Sequence, residues 1–486
     1  MTSEPRFGTR TMLIDGRLVE SEGGGWLTST NPATEEELGR VPAGTEGDVA
    51  RAVEAGNRAF PEWSRLPAAT RGEYVRTLAA RLRERIPELT EMEVLDTGNT
   101  IGKMRSDVAD ACRTLDYFAG LGAEIKGETI PATPDNWHLS VREPYGVVGR
   151  IVAFNHPIKF TASRMAAPLM AGNAVVMKPP EQAPLTSTVL AELCAEIFPP
   201  GVVNIVTGLG ATVGDALVRH PEVRRLSLIG SAATGRAIQR AAAESGVKNV
   251  TLELGGKNPM IVFPDADLGR AIPAAIAGMN FGHQGQSCGS TTRLFLHDSI
   301  HDQVLDKIVG TVEGMRVGDP MSDDSDMGAM VSPAQLDKTL SYIRAGHEDG
   351  ARLVAGGVQP EGEQFARGYW VRPTVFADVT PEMRIFREEI FGPVLSVIRW
   401  SDPEEVVRMA NATEYGLTAA IWTEDLRTAV RTAKAVKSGY VWINGVSRHY
   451  PACEFGGMKN SGVGTEEGIS ELLSYTEIKT IHVLVG

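Results

Sequence analysis

The sequence predicts an α/β fold with two doubly wound, mainly parallel-sheet domains and a small β oligomerisation arm. Three observations carry that prediction. From Val147 to Glu253, short apolar runs at 147–153, 174–177, 202–206, 225–229 and 249–253 alternate with stretches of helical spacing at 161–171, 185–197, 212–219 and 235–245. A second alternation follows, with strand-like runs at 259–263, 292–297, 393–398, 418–422 and 439–443 and helical runs at 267–280, 300–314, 402–411 and 426–436. Two further segments, 124–143 and Thr476–Val485, read as isolated extended pieces.

Each element has a physical reason. Tyr74, Leu78, Leu82 and Ile86 form a one-sided apolar stripe, which predicts a helix over Arg71–Ile86. A second helix is predicted over Gly102–Leu121. In 124–143, Ile125, Ile130, Leu139 and Val141 are separated by turn residues, as in extended chain. The strand-like runs are short and almost wholly apolar, as expected for strands covered on both faces. Strand–helix repeats of this kind give right-handed crossovers and an open parallel sheet. Such sheets bind nucleotides at the carboxyl ends of their strands. The two extended segments are poor cores alone and suit edge pairing with another subunit.

Composition narrows the class. The chain has 486 residues, 42% hydrophobic and 22% charged, which suits two or three globular units. Its net charge of −13 argues against nucleic-acid and acidic-membrane partners. The cysteines at 112, 194, 288 and 453 form no CxxC pair and have no zinc spacing with histidines, so neither a disulfide framework nor a metal site is expected. A reducing, cytoplasmic setting follows. The opening MTSEPRFGTR lacks the apolar run of a signal peptide, and the apolar stretch Met165–Met177 is interrupted by Gly172 and Asn173.

Five places carry chemistry. Cys288, in Phe281-Gly-His-Gln-Gly-Gln-Ser-Cys288, follows a helical run and can serve as a thiolate nucleophile; alone, it reads more readily as a small buried hydrophobe. Glu253 ends an apolar strand in Leu-Glu253-Leu-Gly-Gly-Lys-Asn-Pro, where a buried carboxylate can act as a base; a solvated turn is the alternative. Asn155, in Phe154-Asn155-His156-Pro157, can donate to an oxyanion or simply form a turn. Lys178 and Glu181, in Lys178-Pro-Pro-Glu181, put a cation and a carboxylate at a strand's carboxyl end. The carboxylate suits ribose hydroxyls and repels a 2′-phosphate. In Ile229-Gly230-Ser231-Ala-Ala-Thr234-Gly235 a strand, a glycine and a helix start make a pyrophosphate site in principle, without the GxGxxG pattern.

Together these motifs resemble the NAD(P)-dependent aldehyde dehydrogenase superfamily, and the resemblance covers nearly the whole chain. Supporting stretches follow in order: Glu388-Glu389-Ile-Phe391-Gly-Pro-Val394, Asn411-Ala-Thr-Glu-Tyr-Gly-Leu417, Gly439-Tyr-Val-Trp-Ile-Asn444 and Phe455-Gly-Gly-Met-Lys-Asn-Ser-Gly462. The resemblance implies that Cys288 is the nucleophile, that Asn155 and the Cys288 amide hold the oxyanion, and that Glu253 activates water. It implies an NAD cofactor, NADP being less favoured, held by Lys178, Glu181, Gly230, Ser231, Thr234, Glu389 and Phe391. It implies a Rossmann-like NAD-binding domain from 1–122 and 145–254 and a catalytic domain from 255–470. Segments 123–144 and 471–486 would form the arm of a homodimer or homotetramer.

The sequence departs from the family pattern at Phe154, where a tryptophan is usual, and at Glu454, Thr465 and Arg164. Arg164 replaces a common lysine, which puts a proton-relay role there in question. Pocket positions are expected near His156, Phe160, Ser163, Ser287, Gly289, His449 and Phe455; Arg448 and His449 could meet a carboxylate or hydroxyl of a polar or acidic aldehyde, the alternative being that Arg448 points to solvent. The competing readings are a CoA-acylating semialdehyde dehydrogenase, disfavoured by Glu253, and a non-catalytic NAD-binding protein, disfavoured by the intact Cys288, Glu253 and Asn155. A cysteine hydrolase pairing Cys288 with His283 would leave the cofactor motifs unused.

Overall fold

The computed structural model describes residues 5–485. The part of the predicted leader-free start at 1–4 and the last residue of the predicted arm lie outside them. Both alternations become sheets. The first sheet has eight strands, and its central five, Val203–Ile205, Ala174–Lys178, Val147–Ile151, Arg225–Ile229 and Asn249–Glu253, are parallel in that spatial order. The chain starts in the middle and steps outward both ways, so the strand order reverses beside Val147–Ile151, where a crevice opens at the carboxyl ends. The second sheet has seven strands, parallel except at the Arg352–Ala355 edge. Strands such as Ala174–Lys178 and Arg225–Ile229 are buried at every position, which explains why they are largely apolar.

Helix ends follow local chemistry. Ser231 caps Ala232–Ser245 by accepting from the Thr234 amide, and Asp267 and Asp425 cap the helices that follow them in the same way. One predicted helix differs from the expectation. The run 161–171 is two helices, Pro157–Ser163 and Ala166–Met170. Pro157 opens the first, and Pro168 cannot donate to the carbonyl of Arg164, so the chain breaks there and restarts. Glu46–Arg65 is a helix that hydrophobic spacing did not disclose. Its signal is a capping box in which Thr45 and Asp48 satisfy each other's backbone amides.

Residues 462–475 return to the first sheet. Gly462–Val463 pairs antiparallel with Leu252 and Glu253, and Leu472 and Tyr475 enter the first hydrophobic core. The sequence division placed residues up to 470 with the second sheet, whereas this stretch completes the first. Thr476–Val483 pairs along its full length with Trp137–Pro144, and Glu128–Ile130 completes a separate three-stranded sheet. Trp137, Ile478, Leu484 and Val485 are exposed there. Among the described residues no helix is long and apolar enough to cross a membrane.

Candidate active site

Two clefts meet at one place. The first, about 570 Å³, is lined by Phe154, Asn155, Gly230, Ser231, Glu389 and Phe391 among others. The second, about 910 Å³ and open to solvent, is lined by His156, Phe160, Ser287, Gly289, His449 and Phe455 among others. Cys288, Glu253 and Ile229 line both. The cysteine and the glutamate therefore stand where contents of the two clefts would touch.

The backbone fixes Cys288 through the glutamate motif. Asn258 Nδ2 donates to the carbonyls of Cys288 at 2.7 Å and Ser290 at 2.8 Å, while its Oδ1 accepts from the Thr418 amide at 3.0 Å. A side chain at Gly256 would meet the Cys288 carbonyl at 2.7 Å, so only glycine lets these segments touch. On the other side, Gly285 has φ +67°, and a Cβ there would meet the Gly392 carbonyl at 2.3 Å. The spacing Gly285-Gln-Ser-Cys288 thus seats the cysteine loop between two other motifs.

Burial tunes both reactive groups. The Cys288 thiol is pushed up to about 12 by desolvation and by the nearby Glu389, Glu253 and Glu467 carboxylates. It rests as a thiol and needs a base. Glu253 is 5% exposed, and neither of its carboxylate oxygens has a hydrogen-bond partner among the described residues. Desolvation first, and then Glu466, hold its pKa well above the ordinary carboxylate value. A base with a raised pKa is strong enough to take a proton from a thiol or a water near neutrality.

Behind Glu253 lies a buried ion cluster. Arg164 reaches Glu466 at 3.1 Å and Glu467 at 3.0 Å, and Arg150 reaches Glu466 at 3.0 Å. The surrounding glutamates hold Arg164 charged, so it stabilises carboxylates by field and does not hand on a proton. This answers the lysine replacement noted in the sequence.

Asn155 is 3% exposed and follows the strand Val147–Ile151. Sequence reasoning missed what holds it. Asn99 Nδ2 donates to the Asn155 carbonyl at 3.2 Å, and the Glu93 carboxylate accepts from the Ile158 amide at 3.2 Å. Next door, Gln284 Nε2 donates to the Gly98 carbonyl at 2.6 Å. Residues 98 and 99 therefore clasp the Asn155 turn and the cysteine loop together. Only a stretch of polar residues at a helix end marked this segment in the sequence, and that has no specific reading.

The predicted nucleotide residues divide by place. Gly230 and Ser231 sit at the amino end of the helix Ala232–Ser245 and line the first cleft, and Thr234 bonds to the Ser231 hydroxyl at 2.9 Å. Its unpaired amides and dipole suit a pyrophosphate. Lys178 Nζ donates to Glu181 at 3.1 Å, and Glu181 accepts from the Gly210 amide at 2.5 Å, so this pair stands beside the 210–214 turn and not in the first cleft's lining. Glu389 accepts from the Gly256 amide at 2.8 Å. Phe391, at φ +57°, sets its ring edge-on to Phe154 at 5.7 Å. The site thus offers donors for phosphates and acceptors for ribose hydroxyls, which fits a dinucleotide. Gln335 and Lys338 also line the cleft and were not anticipated.

In the second cleft the expectation needs correction. Arg448 is exposed and absent from the lining, because its carbonyl accepts from Trp442 Nε1 at 2.8 Å and its side chain is turned outward. His449 lines the cleft but is tied to Glu467 at 2.8 Å. Ser163 is buried against the Lys159 carbonyl and is also outside the lining. One wall comes instead from the helix Ile101–Ala119, through Lys103, Ser106, Asp107 and Asp110.

Comparison with known proteins agrees with this arrangement. The aldehyde dehydrogenase tropH of Talaromyces stipitatus is 49% identical over 463 residues, covering 94% of this chain and 90% of that protein. The NAD+ complex of an aldehyde dehydrogenase from Bacillus cereus superposes with a TM-score of 0.95 at 38% identity, covering 98% of this chain and 97% of the other. PnpE from Pseudomonas sp. WBC-3 gives 0.95 at 40% identity, covering 98% of each chain. The model of the aldehyde dehydrogenase family matches residues 18–481, and the chain belongs to that family.

Proposed function

We propose that the protein oxidises an aldehyde to a carboxylic acid with NAD, through a covalent adduct on Cys288. The observation that carries this reading is that Cys288 and Glu253 line both clefts at their junction. Glu253 takes the thiol proton and the sulfur bonds to the carbonyl carbon, giving a thiohemiacetal. The oxygen of that adduct gains charge, and the Asn155 side-chain amide and the Cys288 backbone N–H would donate to it. A nicotinamide in the first cleft supplies the hydride acceptor that allows a thioester to form. Once Glu253 has released the thiol proton to solvent, water attacks the thioester carbon, Glu253 takes a proton from that water and returns it to the departing sulfur, and the acid leaves as the thiol is restored.

In this reading the first sheet and its helices bind NAD and the second sheet carries the nucleophile loop. Support for NAD comes from the helix amino end at Ser231 and from the NAD complexes of the Bacillus cereus enzyme and PnpE. Support for a homodimer or homotetramer comes from the separate three-stranded sheet with its exposed Trp137 and Ile478. The reading is tested by following NAD reduction across an aldehyde panel, with NADP in parallel and without CoA. Acid formation without CoA is expected; no reduction with any aldehyde would refute the reading.

Two variants belong here. Asn155→Ala is expected to lower kcat about 10²-fold, since one oxyanion donor is lost; steady-state rates at saturating NAD check it. Glu181→Ser is expected to raise the ratio of NADP to NAD kcat/KM about 10-fold or more, because the carboxylate that repels a 2′-phosphate is gone. A ratio that stays constant counts against Glu181 as the ribose ligand.

A further inference from the structure

The helix Ile101–Ala119 brings Lys103 into the second cleft. Its stem lies over Gly282: a Cβ on that glycine would sit 2.9 Å from Lys103 Cγ and 3.1 Å from its Cε. Glycine at 282 is thus what leaves the lysine a berth. The other cations lining this cleft are already used. Arg164 is paired with Glu466 and Glu467, and His449 with Glu467. Lys159 lies 3.4 Å from Asp110 and 3.9 Å from Asp107. Lys103 has no ion-pair or hydrogen-bond acceptor among the described residues.

The acceptor nearest to it is already engaged. Asp107, the nearest carboxylate by position on the helix, is taken by His156 Nδ1 at 2.5 Å, with His283 Nε2 at 3.6 Å. His283 is 5% exposed and neither ring nitrogen has a hydrogen-bond partner. Burial drives its pKa down to about 4, so it is neutral at pH 7 and can present an N–H. Burial also lowers the pKa of Lys103, while the Asp107 charge opposes that shift. A buried imidazole without an acceptor is costly unless a ligand brings one, and the half-buried Lys103 ammonium beside it has no protein acceptor to give up.

We infer that Lys103, in its berth over Gly282 and beside the unpartnered His283, anchors a second, anionic oxygen on the aldehyde substrate. That oxygen belongs to a carboxylate or an acidic hydroxyl at the end of the molecule away from the aldehyde. The inference rests on the second cleft being the aldehyde site. It moves the recognition of a polar substrate from Arg448 and His449 to the helix Ile101–Ala119.

The test compares benzaldehyde, 4-carboxybenzaldehyde and 4-hydroxybenzaldehyde as substrates with NAD. Wild-type enzyme is expected to prefer at least one substituted ring by about 10-fold or more in kcat/KM, mainly through KM. The carboxylate and hydroxyl arms tell which oxygen is taken. Lys103→Met is expected to lower that ratio about 10-fold, and Lys103→Arg to retain more of it than the methionine variant. A wild-type ratio near or below one overturns the inference, as does a ratio that survives in Lys103→Met. The wild-type ratio needs no variant, so a misfolded Lys103→Met protein leaves the test standing. Oxidation of benzaldehyde without preference refutes the anchor alone, whereas no NAD reduction with all three aldehydes refutes the aldehyde-oxidation reading and the anchor with it.

Discussion

Cys288→Ala is expected to lower kcat for aldehyde oxidation on the order of 10⁴-fold or more, because catalytic groups that act as a unit fail together when one is removed. The cause is chemical. An aldehyde carbon bears no alkoxide to drive a hydride from it; attack by sulfur turns the carbonyl oxygen into one, and the C–H bond can then break as C=O re-forms. No other thiol can substitute. Cys112 and Cys194 are buried in the first core, and Cys453 is exposed and absent from both cleft linings. Stopped-flow absorbance at the NADH band checks the loss, and binding of NAD to the variant, followed by quenching of tryptophan fluorescence, shows that the first cleft still forms. Turnover close to wild type would sink the covalent route.

Glu253→Gln is expected to lower steady-state turnover on the order of 10³-fold. Glutamine keeps the shape of the side chain and cannot take a proton. A thioester formed from whatever thiolate is present would then persist, so mixing with aldehyde and NAD should give up to one NADH per site, followed by a slow phase. The pH dependence carries a sign. The raised pKa of Glu253 means that its base form grows as pH rises, and the raised pKa of Cys288 acts in the same direction. Wild-type kcat should therefore climb with pH through the neutral range, and the limb due to Glu253 should be missing in the glutamine variant. A profile of the same shape in both proteins would remove Glu253 as the base.

Much of this site was legible from the chain because its motifs are strand ends. Glu253, Lys178, Gly230 and Asn155 each follow a run of apolar residues that could only be a covered strand, so their place at the sheet's carboxyl edge followed from the strand itself. The helix Glu46–Arg65 was not legible from its apolar spacing, since its core-facing positions are filled largely by alanine, glycine and valine; the capping box at its start was the readable sign. Lys103, Asp107 and His283 were illegible for another reason. Lys103 and Asp107 share one helix, but His283 and Gly282 meet them from a distant stretch of sequence, and a lysine on a polar helix face looks solvated until the glycine beneath it is seen. The Gly98–Asn99 clasp was hidden in the same way, because its partners are the carbonyl of Asn155 and the side chain of Gln284.

The return of Gly462–Val463 to the first sheet has a consequence for biosynthesis. Five parallel strands are complete once residue 253 has left the ribosome, yet the edge beside Leu252 and Glu253 stays unpaired until residue 463 emerges. Tyr475, whose hydroxyl bonds to Arg150, arrives later still. During that interval the nascent amino-terminal half carries an open strand edge and a buried arginine without its carboxylates, the condition in which chains associate wrongly. Glu253 is thus among the last parts of the first sheet to be locked, and it is locked by residues made near the end of translation.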